Sequence, residues 1–600
     1  MDPAAGKALP QRHARGKDVM SNRPIHRRQV LAGAGAGLVG AAVATTATTA
    51  TSASAAGGDD HWDMEADIVC VGSGAAGGTA AVIAAAEGAR VLVLEKMPIA
   101  GGTTAKSGGV CWIFNNFVLR EQGLVDARED ALKYAVRYGF PRQYDPASPT
   151  LGLDPVRFGT IAAFYDHGAP AIDRLRELDA VQFKQFRMFA VNHPAPDYAD
   201  HLPENKVPQG RCLEPAVGSG SGSGGGSLAT QLRGWLDKRG VPVLLNTRVT
   251  RILKDGTGRV VGVEAQQGGK TIRVKAARGV IFGSGGYSHN VDLCNLHQPF
   301  VYGTCSLPGS TGDFIPMAEA AGARMGTLSY GWRSQVVLGE ALASRGVGLG
   351  AFVLPGDSMI LVNKYGKRVV NEKRDYNDRT QAHFPYDPAR EEYPNHLLFM
   401  LFDERSIDAF GGAFPFPANK GEQPHLVEGA TWEELSAKVD AQLAGWSGRT
   451  GGVRLAPTFS ATTQDTVARF NAYARAGKDP EQGRGDYLYD KEWHLLFSAR
   501  REGTRFPANP YPNPVMHPFA DKGPYYCIIL GPGTLDTAGG PQVNGHAQVL
   551  AADGTPIPGL YGAGNCISAP SGQAYLGAGG TIGPALTFGY IAAKHAMGKA

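Results

Sequence analysis

Residues 66–96 read "ADIVCVGSGAAGGTAAVIAAAEGARVLVLEK", and this stretch decides the fold. Asp67 to Gly72 form a run typical of a strand buried in a parallel sheet. Gly72-x-Gly74-x-x-Gly77 makes the tight turn that follows, Gly78 to Gly88 an alanine-rich helix, and "ARVLVLE" a second strand ending in Glu95. In such a unit the first two glycines, with Ala75 and Ala76, let the backbone approach a pyrophosphate at the helix N-terminus. The third glycine lets the helix lie close on the strand. Glu95, 18 residues beyond Gly77, is placed to accept hydrogen bonds from a ribose diol and to repel the extra phosphate of NADP. A lone glycine triplet would be weak evidence, but strand, turn, helix, strand and acid together specify a dinucleotide site.

The segments downstream select the dinucleotide. After Glu95 comes "KMPIAGGTTAKSGGVCW", in which Lys96, Gly102, Thr103, Thr104, Ser107, Gly108 and Gly109 form a Gly/Ser/Thr loop suited to lying along FAD rather than NAD. Residues 240–290 then read as a strand placing Val249 near an adenine, followed by a β-meander with turns at Asp255-Gly256 and Gly268-Gly269. The meander ends in a strand that runs into Gly283-x-Gly285-Gly286. Near the C-terminus, "GTPIPGLYGAGNCIS" (554–568) is a strand-to-loop return containing Gly564 and Asn565. The last helix opens near Gly583-Pro584, where proline's missing N–H costs nothing. Backbone N–H groups from Thr581 and Ile582 onward, at the positive end of that helix, are placed to face the flavin's pyrimidine carbonyl.

Bulk properties bound the rest. Six hundred residues suit two or more domains. A net charge of +4, with 19% charged residues, gives no electrostatic case for a nucleic-acid partner. The 7 cysteines are scattered without a Cys-x-x-Cys pair, so no zinc or iron–sulfur site is expected and no metal is assigned. Residues 1–56 carry Arg27-Arg28, a weakly apolar run and Ala53-Ser54-Ala55, which together resemble a twin-arginine export signal; a disordered basic tail is the alternative. Export by that route delivers a folded protein already loaded with its cofactor. No stretch is long and apolar enough for confident membrane insertion.

In this order, over nearly the whole chain, these pieces resemble the FAD-dependent fumarate reductase and 3-ketosteroid dehydrogenase superfamily. The resemblance implies an α/β fold, with a Rossmann-like FAD-binding domain (a parallel sheet with a β-meander) interrupted by an α+β catalytic domain. The boundaries implied are 62–334 for the first part of the FAD domain, 335–530 for the catalytic domain and 531–600 for the second part. Two positions favour the ketosteroid Δ1-dehydrogenase branch. The loop "SGQAYLGAGGTIG" holds Tyr575-Leu576-Gly577-Ala578-Gly579, similar to that branch's Tyr-x-Gly-x-Gly, and lacks the Arg and His that would clamp a dicarboxylate. In "LVNKYGKRVVNEKRDYND" (361–378), similar to Gly-x-Arg-Phe-x-Asn-Glu with Val369 replacing Phe, Tyr376 stands where fumarate reductases have their proton-donating Arg. A two-residue gap would instead put Arg374 there, which keeps a fumarate- or urocanate-type enoate reductase open.

By the resemblance, the Tyr575 hydroxyl and the Gly579 N–H polarise a ring ketone, Tyr376 removes a proton from the adjacent carbon, and Tyr198 in "PDYAD" hydrogen-bonds Tyr376. Hydride passes to flavin N5. The partners implied are a small hydrophobic ketone and a quinone or similar electron acceptor. Tyr526 in "GPYYCIIL" is a reserve candidate, Asp313 is expected to cap a helix, and 217–232 reads as a mobile loop running into an amphipathic helix. An FAD-binding electron carrier without dehydrogenase activity is the rival of another class.

Overall fold

The computed structural model describes residues 61–188, 192–216, 224–418, 421, 424–494 and 508–599. The export signal and residues 217–223 of the glycine-serine stretch therefore lie outside the described residues. His61 onward forms one compact unit.

Its first sheet has eight strands around the predicted dinucleotide unit. Strand Met64–Val71 is flanked in parallel by Val91–Leu94 and by Lys270–Phe282, with Val71 beside both Leu94 and Phe282. Pro556–Gly562 extends the sheet in parallel beyond Phe282, and Val243–Leu244 beyond Leu94. The C-terminal ends of these strands thus converge on one edge, where ligands bind in open parallel sheets. The meander is present as Thr247–Lys254, Val260–Gln267 and Lys270–Phe282, all antiparallel. Asp255 accepts from the amides of Thr257 and Arg259, and Gly268 and Gly269 both take positive φ at the second turn.

Helix Ala75–Ala86 covers this sheet, and its small side chains let the C-terminal helix Ile582–Ala596 approach closely. At Gly589 a Cβ would come within 2.4 Å of the Ala76 carbonyl oxygen. This crossing delivers the loop before the last helix, with Tyr575 and Gly579, to the same sheet edge. Helix Gly224–Lys238 begins earlier than its amphipathic pattern indicated, and buries Leu228, Leu232, Trp235 and Leu236.

A second sheet is built on the long strand Tyr525–Thr537, which pairs with Gly331–Val337, Leu398–Asp403, Leu426–Gly429 and Gly303–Thr304. Met359–Val362 pairs outside Leu398–Asp403. The apolar segment from 335 to 360 proves to be mainly core: Val337, Leu338, Met359 and Ile360 are fully buried. A small antiparallel sheet joins Cys111–Trp112, Cys212–Pro215 and Phe183–Gln185. Among the described residues no helix is long and apolar enough to cross a membrane.

Candidate active site

A cleft opens at the C-terminal edge of the parallel sheet. Gly72, Gly74, Ala75, Ala76, Glu95, Lys96, Gly102, Thr103, Thr104, Ser107, Val249, Gly285, Gly564, Asn565, Thr581 and Ile582 all line it. Three residues assigned to the cofactor do not. Gly77 packs beneath the turn, where a Cβ would lie 1.9 Å from the Gly72 carbonyl oxygen. Gly108 and Gly109 pack against Gly224, where the following helix starts. The Gly/Ser/Thr loop is wound into a helical turn, Gly102–Lys106, pinned by Thr104 Oγ1 accepting from the Ala75 amide at 2.9 Å.

Several lining residues carried no sequence signal. Ser73, one of the variable positions of the glycine motif, donates from N and Oγ to Glu95 Oε2 at 3.0 and 2.7 Å and accepts from the Gly101 amide. It orients the acid inside the cleft. Asp536 accepts from the Gly286 amide, Ser288 Oγ and Asn565 Nδ2. Asp313 sits at the N-terminus of helix Phe314–Ala320 but makes no capping bond. Its carboxylate is engaged instead by Arg248 at 2.9 Å, Lys96 at 3.1 Å and Thr311. Ion pairing with two cations outcompetes the helix amides, so Asp313 braces Lys96 at the cleft wall. The extent of the cleft, from Glu95 and Val249 to the mouth of the last helix, fits a dinucleotide bearing a bulky ring system: FAD.

Beyond Thr581 stands a closed group of phenols. Tyr198, Tyr376 and Tyr575 are 1%, 6% and 3% exposed and come from three distant segments. The Tyr198 hydroxyl donates to the Tyr376 hydroxyl at 3.1 Å. The Tyr575 hydroxyl interacts with both Tyr376 and Thr581, so the row of hydroxyls ends at the cofactor cleft. The Tyr198 and Tyr575 rings lie 5.4 Å apart and 14° from parallel, with the Tyr376 ring edge-on to both. Phe352, Trp332, Tyr489 and Trp493 complete the aromatic wall.

Local sequence explains each placement. In the 361–378 motif, Arg368 forms a bidentate pair with Glu372, and Asn371 Nδ2 donates to Asp490. Asp375 then caps helix Tyr376–Gln381 by accepting from the Asp378 amide, which presents Tyr376 at its first position. Tyr198 follows Asp197, whose carboxylate is buried and accepts from Trp112 Nε1 at 2.7 Å and from Arg211. Burial raises Asp197 to about 6 despite these donors. Gly579 has φ +87°, and a Cβ would lie 2.2 Å from the Val110 carbonyl oxygen. Its own carbonyl accepts from Trp112 N at 3.2 Å, whereas its N–H has no acceptor among the described residues.

Burial drives all three phenols above their ordinary value of 10. For Tyr376 the neighbouring Tyr575 adds to this, while the hydrogen bond from Tyr198 opposes it. Tyr526 is not part of this group. It lies in the core of the second sheet, stacked on Phe402 at 5.7 Å. Arg374 is also turned away, with Nη2 donating to the Tyr198 carbonyl oxygen at 2.6 Å and Nη1 facing Asp490 and Asp200.

Known proteins are similar to this chain over most of its length. A sequence similar to 4-oxocyclohexanecarboxylate 2-dehydrogenase of Sinomonas cyclohexanicum is evident at 31% identity, covering 89% of this chain and 93% of that one. Similarity to 3-oxosteroid 1-dehydrogenase of Mycolicibacterium smegmatis is also 31%, covering 88% and 97%. Among solved structures, 3-ketosteroid Δ1-dehydrogenase from Sterolibacterium denitrificans, in complex with 1,4-androstadiene-3,17-dione, superposes with a TM-score of 0.71 at 26% identity, covering 89% and 100%. The profile of the FAD binding domain family matches residues 67–582. With the glycine turn, Glu95 and the cleft beside a packed cluster of tyrosines, the chain belongs to the FAD binding domain family and is an FAD-dependent oxidoreductase of its CH–CH dehydrogenase members.

Proposed function

We propose that this protein desaturates the carbon–carbon bond next to a ring ketone, with a 3-ketosteroid-type substrate. The observation that carries this reading is the convergence of the Tyr198, Tyr376 and Tyr575 hydroxyls beside the free Gly579 N–H, at the end of the cofactor cleft. Tyr575 and Gly579 supply two donors for the keto oxygen, where negative charge grows as the neighbouring C–H is broken. Tyr376 takes that proton on its phenolic oxygen, and Tyr198 stabilises the phenolate that must first exist. FAD held along Thr103, Thr104, Ser107 and Thr581 would supply a two-electron acceptor for the hydride leaving the next carbon. The aromatic side chains around the three phenols suit contact with an apolar ring.

Arg374 disfavours an enoate reductase, because its guanidinium is committed to Tyr198, Asp200 and Asp490. A second reading is a smaller cyclic keto acid as substrate, supported by the relative named 4-oxocyclohexanecarboxylate 2-dehydrogenase. Residues 335–530 are read as the catalytic domain, a quinone-like molecule as the final electron acceptor, and Arg27-Arg28 as the core of a twin-arginine signal; exchange of both for Lys should abolish export.

The test is anaerobic mixing of the yellow holoenzyme with 4-androstene-3,17-dione and, separately, with 4-oxocyclohexanecarboxylate. Bleaching of the flavin band by either ketone supports the reading and chooses the substrate class. No bleaching, together with rapid reoxidation of dithionite-reduced enzyme by fumarate or urocanate, sinks it. Retained FAD that responds to no ketone or enoate would favour an electron carrier.

A further inference from the structure

Arg374 ties together the three segments that surround the proposed base. Its Nη2 donates to the Tyr198 carbonyl oxygen at 2.6 Å, and Nη1 lies 3.5 Å from Asp490 Oδ1 and 3.8 Å from Asp200 Oδ1. The guanidinium carbon also sits 5.0 and 5.4 Å over the rings of Tyr487 and Tyr489. Asp490 is itself held by the Gly485 amide and Asn371, both at 2.9 Å, and Asp200 accepts from the Tyr489 amide at 2.9 Å. Tyr198 is thereby gripped on both sides of its backbone. Its amide donates to the Leu576 carbonyl oxygen at 3.1 Å, in the loop of Tyr575, and its carbonyl is held by Arg374. Its ring is wedged edge-on against Tyr489 and Trp493, so backbone position translates directly into hydroxyl position.

We propose that Arg374 is a positioning residue that keeps the Tyr198 hydroxyl donating to Tyr376 and so sets how readily Tyr376 acts as a base. This rests on the reading of Tyr376 as the base. The titratable groups facing Tyr376 are Tyr198 from the 193–201 loop, Tyr575 from the C-terminal loop and Tyr489 from helix Leu488–Trp493. Asp375 and Arg379, on the segment of Tyr376 itself, act on Tyr489. Of these, Tyr198 is the group whose donated hydrogen bond favours the phenolate.

The test compares holoenzyme forms: wild type, Arg374→Lys, Arg374→Met, Tyr198→Phe and the Tyr198→Phe/Arg374→Met double variant. Two readouts are taken. The first is kcat/KM against pH with a ketone substrate; the second is the titration of Tyr376 alone, as the difference in tyrosinate absorbance between each form and its Tyr376→Phe counterpart. Loss of one hydrogen bond to the charged form should move the Tyr376 midpoint upward by about one pH unit and cut kcat/KM at neutral pH about tenfold. Arg374→Met should show this shift and Arg374→Lys a smaller one. The double variant should match Tyr198→Phe, because both changes remove the same interaction. An unshifted midpoint in Arg374→Met with FAD retained, or fully additive losses in the double variant, overturns the proposal. The absorbance titration needs no turnover, so a failed ketone assignment, seen as an inactive wild type, is distinguishable from a failed role for Arg374.

Discussion

Replacing Tyr575 with Phe removes one oxygen from a packed aromatic cluster whose other contacts a phenyl ring preserves. The ring would keep its stacking on Tyr198 at 5.4 Å, its edge contact with Trp332 at 5.5 Å and its contact with Tyr376 at 5.2 Å. No carboxylate or cation loses its partner, since the hydroxyl interacts with Tyr376 and Thr581. Stability should therefore change by no more than about 1 kcal/mol, the net worth of an ordinary hydrogen bond. Catalysis should suffer far more. With Gly579 N–H as the remaining donor, loss of one of two donors at a developing oxyanion costs about 3–4 kcal/mol, or 10² to 10³ in rate. The assay is the anaerobic rate of flavin bleaching by the ketone at saturation, beside a thermal unfolding scan. A variant that keeps its FAD and melts like wild type, yet bleaches within about threefold of the wild-type rate, would refute the oxyanion role. A large loss of rate accompanied by a large loss of stability would refute the claim that the phenol's ring and hydroxyl have separable tasks.

Tyr376→Phe should retain FAD and still bind the ketone but lose single-turnover bleaching by at least about 10², the usual range for general-base removal; bleaching near the wild-type rate would transfer the base to another residue. Gly77→Ala, which drives a Cβ to 1.9 Å from a backbone oxygen, should yield protein without flavin absorbance, and a yellow, stable variant would contradict the packing described. Burial alone would raise Glu372, yet Arg368 and Arg484 outweigh it and lower its pKa from 4.5 to about 2. Its stabilising effect is therefore complete above pH 4.5 and lost as the pH falls toward 2. Glu372→Gln should cost roughly 3 kcal/mol at neutral pH and flatten the acid dependence across that window, read by denaturant unfolding from pH 2 to 7. An unchanged slope would contradict the pairing.

The parts legible in the sequence are those set by local backbone chemistry. The glycine turn, the acid after the second strand and the Asp-Gly and Gly-Gly turns each follow from what a few adjacent residues can do. Tyr575, Tyr376 and Tyr198 were candidates only through the resemblance of the short motifs that carry them, which local backbone chemistry does not specify. What stayed hidden is whatever depends on chain crossings. Trp332 donates to Asn565, 233 residues away, and Asn565 donates to Asp536; no periodicity announces such a chain. Tyr489 and Trp493 reach the Tyr198 ring only because the helix that carries them docks against the 193–201 loop. Asp313 shows the converse. Its position beside a helix start suggested a cap, but Lys96 and Arg248, far apart in sequence, claim the carboxylate.

The most direct test of the account is a single anaerobic turnover of the holoenzyme with a ketone carrying deuterium on the two ring carbons next to and beyond the carbonyl, with the product weighed by mass spectrometry. Ring desaturation predicts stoichiometric flavin bleaching, a product that has lost one label from each of the two carbons, and slower bleaching than with unlabelled ketone. Recovery of the ketone with its labels intact and the flavin still oxidised would contradict the central claim that a proton leaves one ring carbon to Tyr376 while a hydride leaves its neighbour to the flavin.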